Sequence, residues 1–92
     1  MAVDWGKLRN AVLIFVDIHY DGVKVSASGW WSKYLECFVF HHKSDEFYYY
    51  PDTNELKHCI DLWYPYRIYG IPRIGHCRKI KDFKIQVKKV IM

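Results

Sequence analysis

The stretch Ala11-Val-Leu-Ile-Phe-Val-Asp-Ile-His-Tyr20-Asp-Gly-Val-Lys-Val-Ser-Ala-Ser-Gly29 decides the fold. Its first six residues are apolar throughout, and alternation sets in only at Asp17. A β-branched run of this kind reads as a strand in the middle of a sheet. Asp21-Gly22 is a residue pair favoured in a type I′ hairpin turn, where both positions need positive φ. The register checks itself. With Tyr20 opposite Val23, Ile18 meets Val25 and Val16 meets Ala27, which makes one face apolar. The other face pairs His19 with Lys24 and Asp17 with Ser26, and a one-residue slip would mix the two. A hairpin over residues 11–29 is therefore expected.

Outward from the hairpin, Asp4 is placed to cap a short helical turn over residues 5–10, although Gly6 weakens it. Trp30 and Trp31 are expected to plug one end of the core. Residues 36–42 read as a third strand, with Phe38 and Phe40 on one side and Cys37, Val39 and His41 on the other. A polar turn at 43–46 leads to a fourth strand at 47–50. Residues 51–63 admit two readings. Asp52-Thr-Asn-Glu55 matches a capping box, and Leu56, Cys59, Ile60 and Trp63 then share one helical face, with Pro65 as the stop. The rival is a turn at 52–54 into a strand with His58, Ile60 and Leu62 inward. The helix is preferred. Residues 64–75, with two Pro and two Gly, read as a shaped loop. The chain closes on a half-buried strand in which Phe83, Ile85 and Val87 alternate with Lys84, Gln86 and Lys88. The predicted architecture is α+β, an antiparallel sheet of about five strands with one packed helix; a small all-β barrel is the alternative.

Ninety-two residues suit a single compact domain. Its 17 aromatic residues give so short a chain enough apolar area for a core. The longest apolar run, residues 11–16, is far below the roughly 20 residues that span a bilayer, and no secretory pattern opens the chain. Three cysteines are an odd number without the spacing of a dense disulfide framework. These features predict a soluble protein of the reducing cytoplasm with no membrane partner and with structural thiols.

Charge is distributed unevenly. Residues 67–92 carry eight basic residues and one acid, Asp82, a net +7, whereas residues 1–66 carry −3. The basic C-terminal third therefore points to a polyanion or an acidic partner. Arg67 and Arg73 lie among Tyr64, Tyr66 and Tyr69; Arg78, Lys79 and Lys81 follow; Lys84 and Lys88 form a short ladder on the last strand. Cations that neutralise phosphate beside rings that stack on bases suit a nucleic acid or a nucleotide. The ordinary alternative is a solvated edge strand whose lysines block sheet-to-sheet aggregation.

Other chemistries find less support. Cys37/His41/His42, His58-Cys59 and His76-Cys77 lack zinc-ligand spacing, so neither metal nor cofactor is expected. No serine has a nucleophile-elbow context, and no phosphate loop is present. Cys77 has the most basic neighbours of the three thiols. Asp17, with His19 on the same face, resembles the lone acid of a small metal-dependent nuclease, but two-metal chemistry needs more carboxylates. The leading expectation is a non-enzymatic binding domain with a basic, tyrosine-flanked surface. Second comes a stand-alone protein that inhibits another protein, of the phage or mobile-element accessory type. A nuclease is third. The last strand, if it is an edge, also offers itself to a second copy of the chain.

Overall fold

The computed structural model describes residues 3–60 and 77–92. One helical turn, α1 (Trp5–Leu8), precedes seven strands: β1 (Leu13–Tyr20), β2 (Val23–Ser32), β3 (Cys37–His42), β4 (Asp45–Tyr50), β5 (Glu55–Ile60), β6 (Cys77–Ile80) and β7 (Phe83–Ile91). They form one antiparallel sheet in the order β6-β5-β4-β3-β2-β1-β7. The expected α+β architecture is thus corrected: among the described residues the single turn α1 is the one helix, no long helix covers the sheet, and the strands number seven rather than five.

The β1–β2 hairpin has the register expected from its sequence, Tyr20 with Val23, Ile18 with Val25, Val16 with Ala27. Asp21 and Gly22 both take positive φ, 48° and 76°, as a two-residue I′ turn demands. At the N-terminus Asp4 accepts a hydrogen bond from the Lys7 amide and caps α1.

Among the described residues no second layer covers the sheet, so its apolar face is buried against itself. In a flat sheet β5 and β1, four steps apart, would be separated by about 19 Å. Instead the rings of Tyr20 on β1 and His58 on β5 lie 5.6 Å apart. Tyr49 on β4 and Phe83 on β7, also four steps apart, lie 6.0 Å apart. The sheet therefore curls until its two edges approach, and Lys81-Asp82 joins β6 directly to β7. Ile14, Val16, Ile18, Phe38, Phe40, Phe47, Leu56 and Ile80 fill the interior. Trp5 closes one end, with its ring 5.0 Å from Phe38 and 4.8 Å from Tyr49. The expected plug, Trp30-Trp31, is only half realised: Trp31 packs on Phe38, while Trp30 points outward and is 49% exposed.

Gly29 makes the curl possible. A Cβ there would sit 1.7 Å from the Val39 carbonyl oxygen, so β2 and β3 approach where only glycine fits.

Residues 55–60 are strand, not helix. Asn54 takes a left-handed φ of 53°, which stops a helix from running through the segment, and its side chain accepts from the Tyr49 hydroxyl. The helical look of Leu56, Cys59 and Ile60 has a covalent cause. Cys59 lies on the face opposite Leu56 and is buried there by a disulfide to Cys77, its cross-strand neighbour. Apolar burial on both faces erased the period of two. The expectation of free thiols is corrected at these two positions; Cys37 alone is free, and burial raises its thiol pKa.

Two outcomes follow for stability. Gly29→Ala should cost at least about 3 kcal/mol, because backbone rather than a flexible side chain blocks the methyl group; a thermal melt within 2 °C or so of wild type would contradict the close approach. Replacing both Cys59 and Cys77 by Ser opens an 18-residue closure. By loop entropy it should lower stability by about 3 kcal/mol, read as a drop in denaturation midpoint. An unchanged midpoint would argue that the bridge constrains nothing.

Candidate nucleic-acid interface

The curl leaves β2, β1 and β7 side by side with one face outward, and the registers set the residues of that face in rows. Lys24, His19 and Lys84 make the first row. Ser26, Asp17 and Gln86 make the second; Ser28, Phe15 and Lys89 the third. Neighbours within a row lie about 5 Å apart at Cβ. A bulge separates the second and third rows: Val16 faces Val87 and Phe15 faces Lys89, so Lys88 is the extra residue. The bulge presents two successive lysines where regular alternation would show one.

Beyond Ser28 the third row continues onto β3 with His41 and onto β4 with Glu46. The His41 Nδ1 lies 3.9 Å from Glu46 Oε1, and the Tyr48 hydroxyl donates to Glu46 Oε2. Trp30, next on β2, tilts against His41 with ring centroids 6.0 Å apart. Phe15 is 36% exposed. A shallow groove of about 400 Å³ runs between Phe15 and His41, and Asp17, Ser26, Ser28 and Lys88 line it together with Val16 and Ala27. Asp17 is only 8% exposed; its Oδ1 accepts from the Ser26 hydroxyl at 2.9 Å, and its Oδ2 lies 3.9 Å from the Lys88 ammonium.

The basic residues expected to act together divide into two groups. Arg78 pairs with Asp21 at 2.6 Å and leans over the Tyr20 ring; Lys79 pairs with Glu55 at 3.0 Å. Both are engaged within the fold at the β6 edge. Lys81 is exposed in the β6–β7 connection. Lys84 and Lys88 are on the outer face, where Lys24, Lys89 and His19 join them. Tyr64, Tyr66, Arg67, Tyr69 and Arg73 lie outside the described residues. The signal for the added residues was partly present: the hairpin register already put His19 beside Lys24. What the sequence lacked was the β1–β7 pairing that brings Lys84 into the same row. Of the two exposed rings, Trp30 belongs to the expected core plug, and Phe15 lies in a run apolar on both faces with no signal to single it out.

As for the nuclease chemistry considered for Asp17 and His19, no three His, Cys, Asp or Glu side chains converge on a metal position among the described residues. No protein-family model, curated protein or solved structure matches the chain.

Burial, and then the hydrogen bond to Glu46, hold the Tyr48 phenol well above its ordinary 10.0. Burial is also the first cause of the upward shifts at Tyr20, Tyr49 and Tyr50. A raised pKa means that the folded state holds the proton more tightly than the unfolded chain. This stabilisation is full below the unfolded value and is lost as pH rises through the folded value. The denaturant midpoint should therefore fall above about pH 10, with phenolate absorbance appearing together with unfolding, and Tyr48→Phe should soften the fall. Four phenols titrating freely in the folded protein near pH 10 would contradict this packing.

Proposed function

We propose that this chain is a binding domain for single-stranded nucleic acid and that its contact surface is the outer face of β2, β1 and β7. The observation that carries the reading is the row Lys24–His19–Lys84, with two lysines flanking a histidine, continued by Lys88 and Lys89, beside two exposed aromatic rings. None of Lys24, Lys84 and Lys89 has an ion-pair partner among the described residues, so their charge is available to phosphates. Phe15 offers a flat hydrophobic platform, and a base can lie on such a platform only when it is unpaired. The preference for a single strand over a duplex comes from this geometry. Helix-in-groove readout has no counterpart among the described residues, where the one helix is a single turn on a curled sheet.

The reading replaces the tyrosine-flanked loop as the centre of the surface. Residues 64–73 remain a proposed extension, because Arg67, Tyr69 and Arg73 belong to the same charged third of the chain and Tyr64 and Tyr66 directly precede it.

Binding to a labelled single-stranded oligonucleotide, followed by anisotropy against salt, tests the proposal. With about four phosphate contacts, log K against log salt should slope near −3, and Lys24→Ser with Lys84→Ser should flatten it by about 1.4. Phe15→Ala should weaken binding by about 1–3 kcal/mol at every salt concentration, because stacking is not screened as charge is. Failure of single-stranded RNA and DNA to bind at about 50 mM salt would refute the proposal. An inhibitor of another protein would then be the leading explanation of the same surface.

A further inference from the structure

We infer that the groove beside Phe15 is a base-recognition pocket selective for guanine, read by the Asp17 carboxylate and the Lys88 ammonium; the inference rests on the nucleic-acid reading above. Phe15 and Asp17 are two residues apart on one strand and share the outer face. Their separation along β1 is about 7 Å, comparable to the length of a purine. A base lying flat on Phe15 therefore brings one edge over Asp17.

Asp17 is an unusual choice for its position. A serine or threonine would continue the row of Ser26 and Gln86 without the cost of desolvating a carboxylate. At 8% exposure it keeps one oxygen bonded to Ser26. The other, Oδ2, has no hydrogen-bond donor among the described residues, since Lys88 stands off at 3.9 Å. Both oxygens retain unused lone pairs. The site is thus an acceptor pair flanked by a movable donor.

Base chemistry then decides the ligand. The Watson–Crick edge of guanine runs acceptor, donor, donor: O6, N1–H, N2–H. It is the only one of the common bases with two adjacent donors for a carboxylate. Adenine and cytosine set an acceptor beside their single amine, and its lone pair would face the carboxylate. Uracil and thymine flank one donor with two carbonyl oxygens. Lys88, next to Asp17, meets the guanine O6. Ammonium and carboxylate together present donor, acceptor, acceptor, which is the complement of guanine. Sites built to hydrogen-bond a donor reject analogues that lack it, because their buried acceptors are left unmade.

Short uridine oligonucleotides with one central guanosine, adenosine, uridine or inosine test this on the unmodified protein. Guanosine should bind at least about tenfold more tightly than adenosine or uridine, and inosine, which lacks only the 2-amino group, about tenfold more weakly than guanosine. Asp17→Asn keeps the shape and the Ser26 bond but replaces one acceptor by a donor. It should erase the guanosine preference, so that the four oligonucleotides bind alike. Equal, salt-dependent affinity for all four oligonucleotides would overturn the guanine pocket while leaving the nucleic-acid reading intact. If none binds, both fall. A guanosine preference unchanged in Asp17→Asn would assign the selectivity to other residues and sink the inference. Should that variant fail to fold, the inosine comparison decides by itself.

Discussion

Among the described residues a single antiparallel sheet hides its apolar face mainly against itself, and the rest of this structure depends on that constraint. The three phenylalanines Phe38, Phe40 and Phe47 are fully buried although the one helical turn, α1, reaches only Phe38 among them, through Trp5. Burial of each ring is worth several kcal/mol, as the usual cost of Phe→Ala indicates. It is achieved only if the sheet bends until β5 and β1 meet. Gly29 permits the bend, by removing the one side chain that the Val39 carbonyl would strike. Trp5 and Tyr49 then stopper an end that no loop could fill. The sheet's apolar residues are therefore cooperative in a strict sense, for each loses its partner if the curl relaxes.

The curl also sets the outer surface. β7, last in the chain, lies beside β1, near its beginning, and carries Lys84, Lys88 and Lys89 to Lys24, His19 and Phe15. The +7 of residues 67–92 is accordingly not one patch. Arg78 and Lys79, on β6, are matched by Asp21 and Glu55. Exposed pairs of this kind add little stability, about 0–1 kcal/mol each, yet they remove two charges from the field seen by a partner. On β7, Lys84 and Lys89 have no such partner among the described residues, while Lys88 stands 3.9 Å from Asp17. β7 pairs with β1 only, among the described residues, so its lysines also keep a bare strand edge from stacking on another sheet.

How much of this was legible in the sequence follows from which interactions are local. The β1–β2 hairpin was readable in full, because a two-residue turn fixes the register and a wrong register mixes polar with apolar. The alternation of β7 was readable for the same reason. Residues 55–60 were not, since the disulfide buries Cys59 on the face opposite Leu56 and mimics helical spacing. That bridge depends on the alignment of β5 with β6 across eighteen residues, and no local pattern encodes it. The proposed binding face was half legible: the sequence supplied Lys84, Lys88 and the polar side of the hairpin, but not their adjacency. Phe15 lies in a run that is apolar on both faces, so no local pattern told its exposed ring from the buried Ile14 and Val16.

Asp17 shows how closely the two faces are tied. Its neighbours Val16 and Ile18 are locked in the core at 1% and 0% exposure, so its backbone has almost no freedom. A carboxylate held in this way pays little further entropy to meet a ligand, and its geometry is set before the ligand arrives. Lys88, in a bulge on an edge strand, has the opposite character: a long side chain at a position where the ladder is interrupted. One group is fixed by the fold and the other is free to adjust. A loop would have supplied two movable groups, and a regular strand pair two fixed ones. The bulge, across from the Phe15–Val16 step next to the buried acid, gives the surface one of each, which is what a site needs if it is to discriminate by hydrogen bonding and still release its ligand.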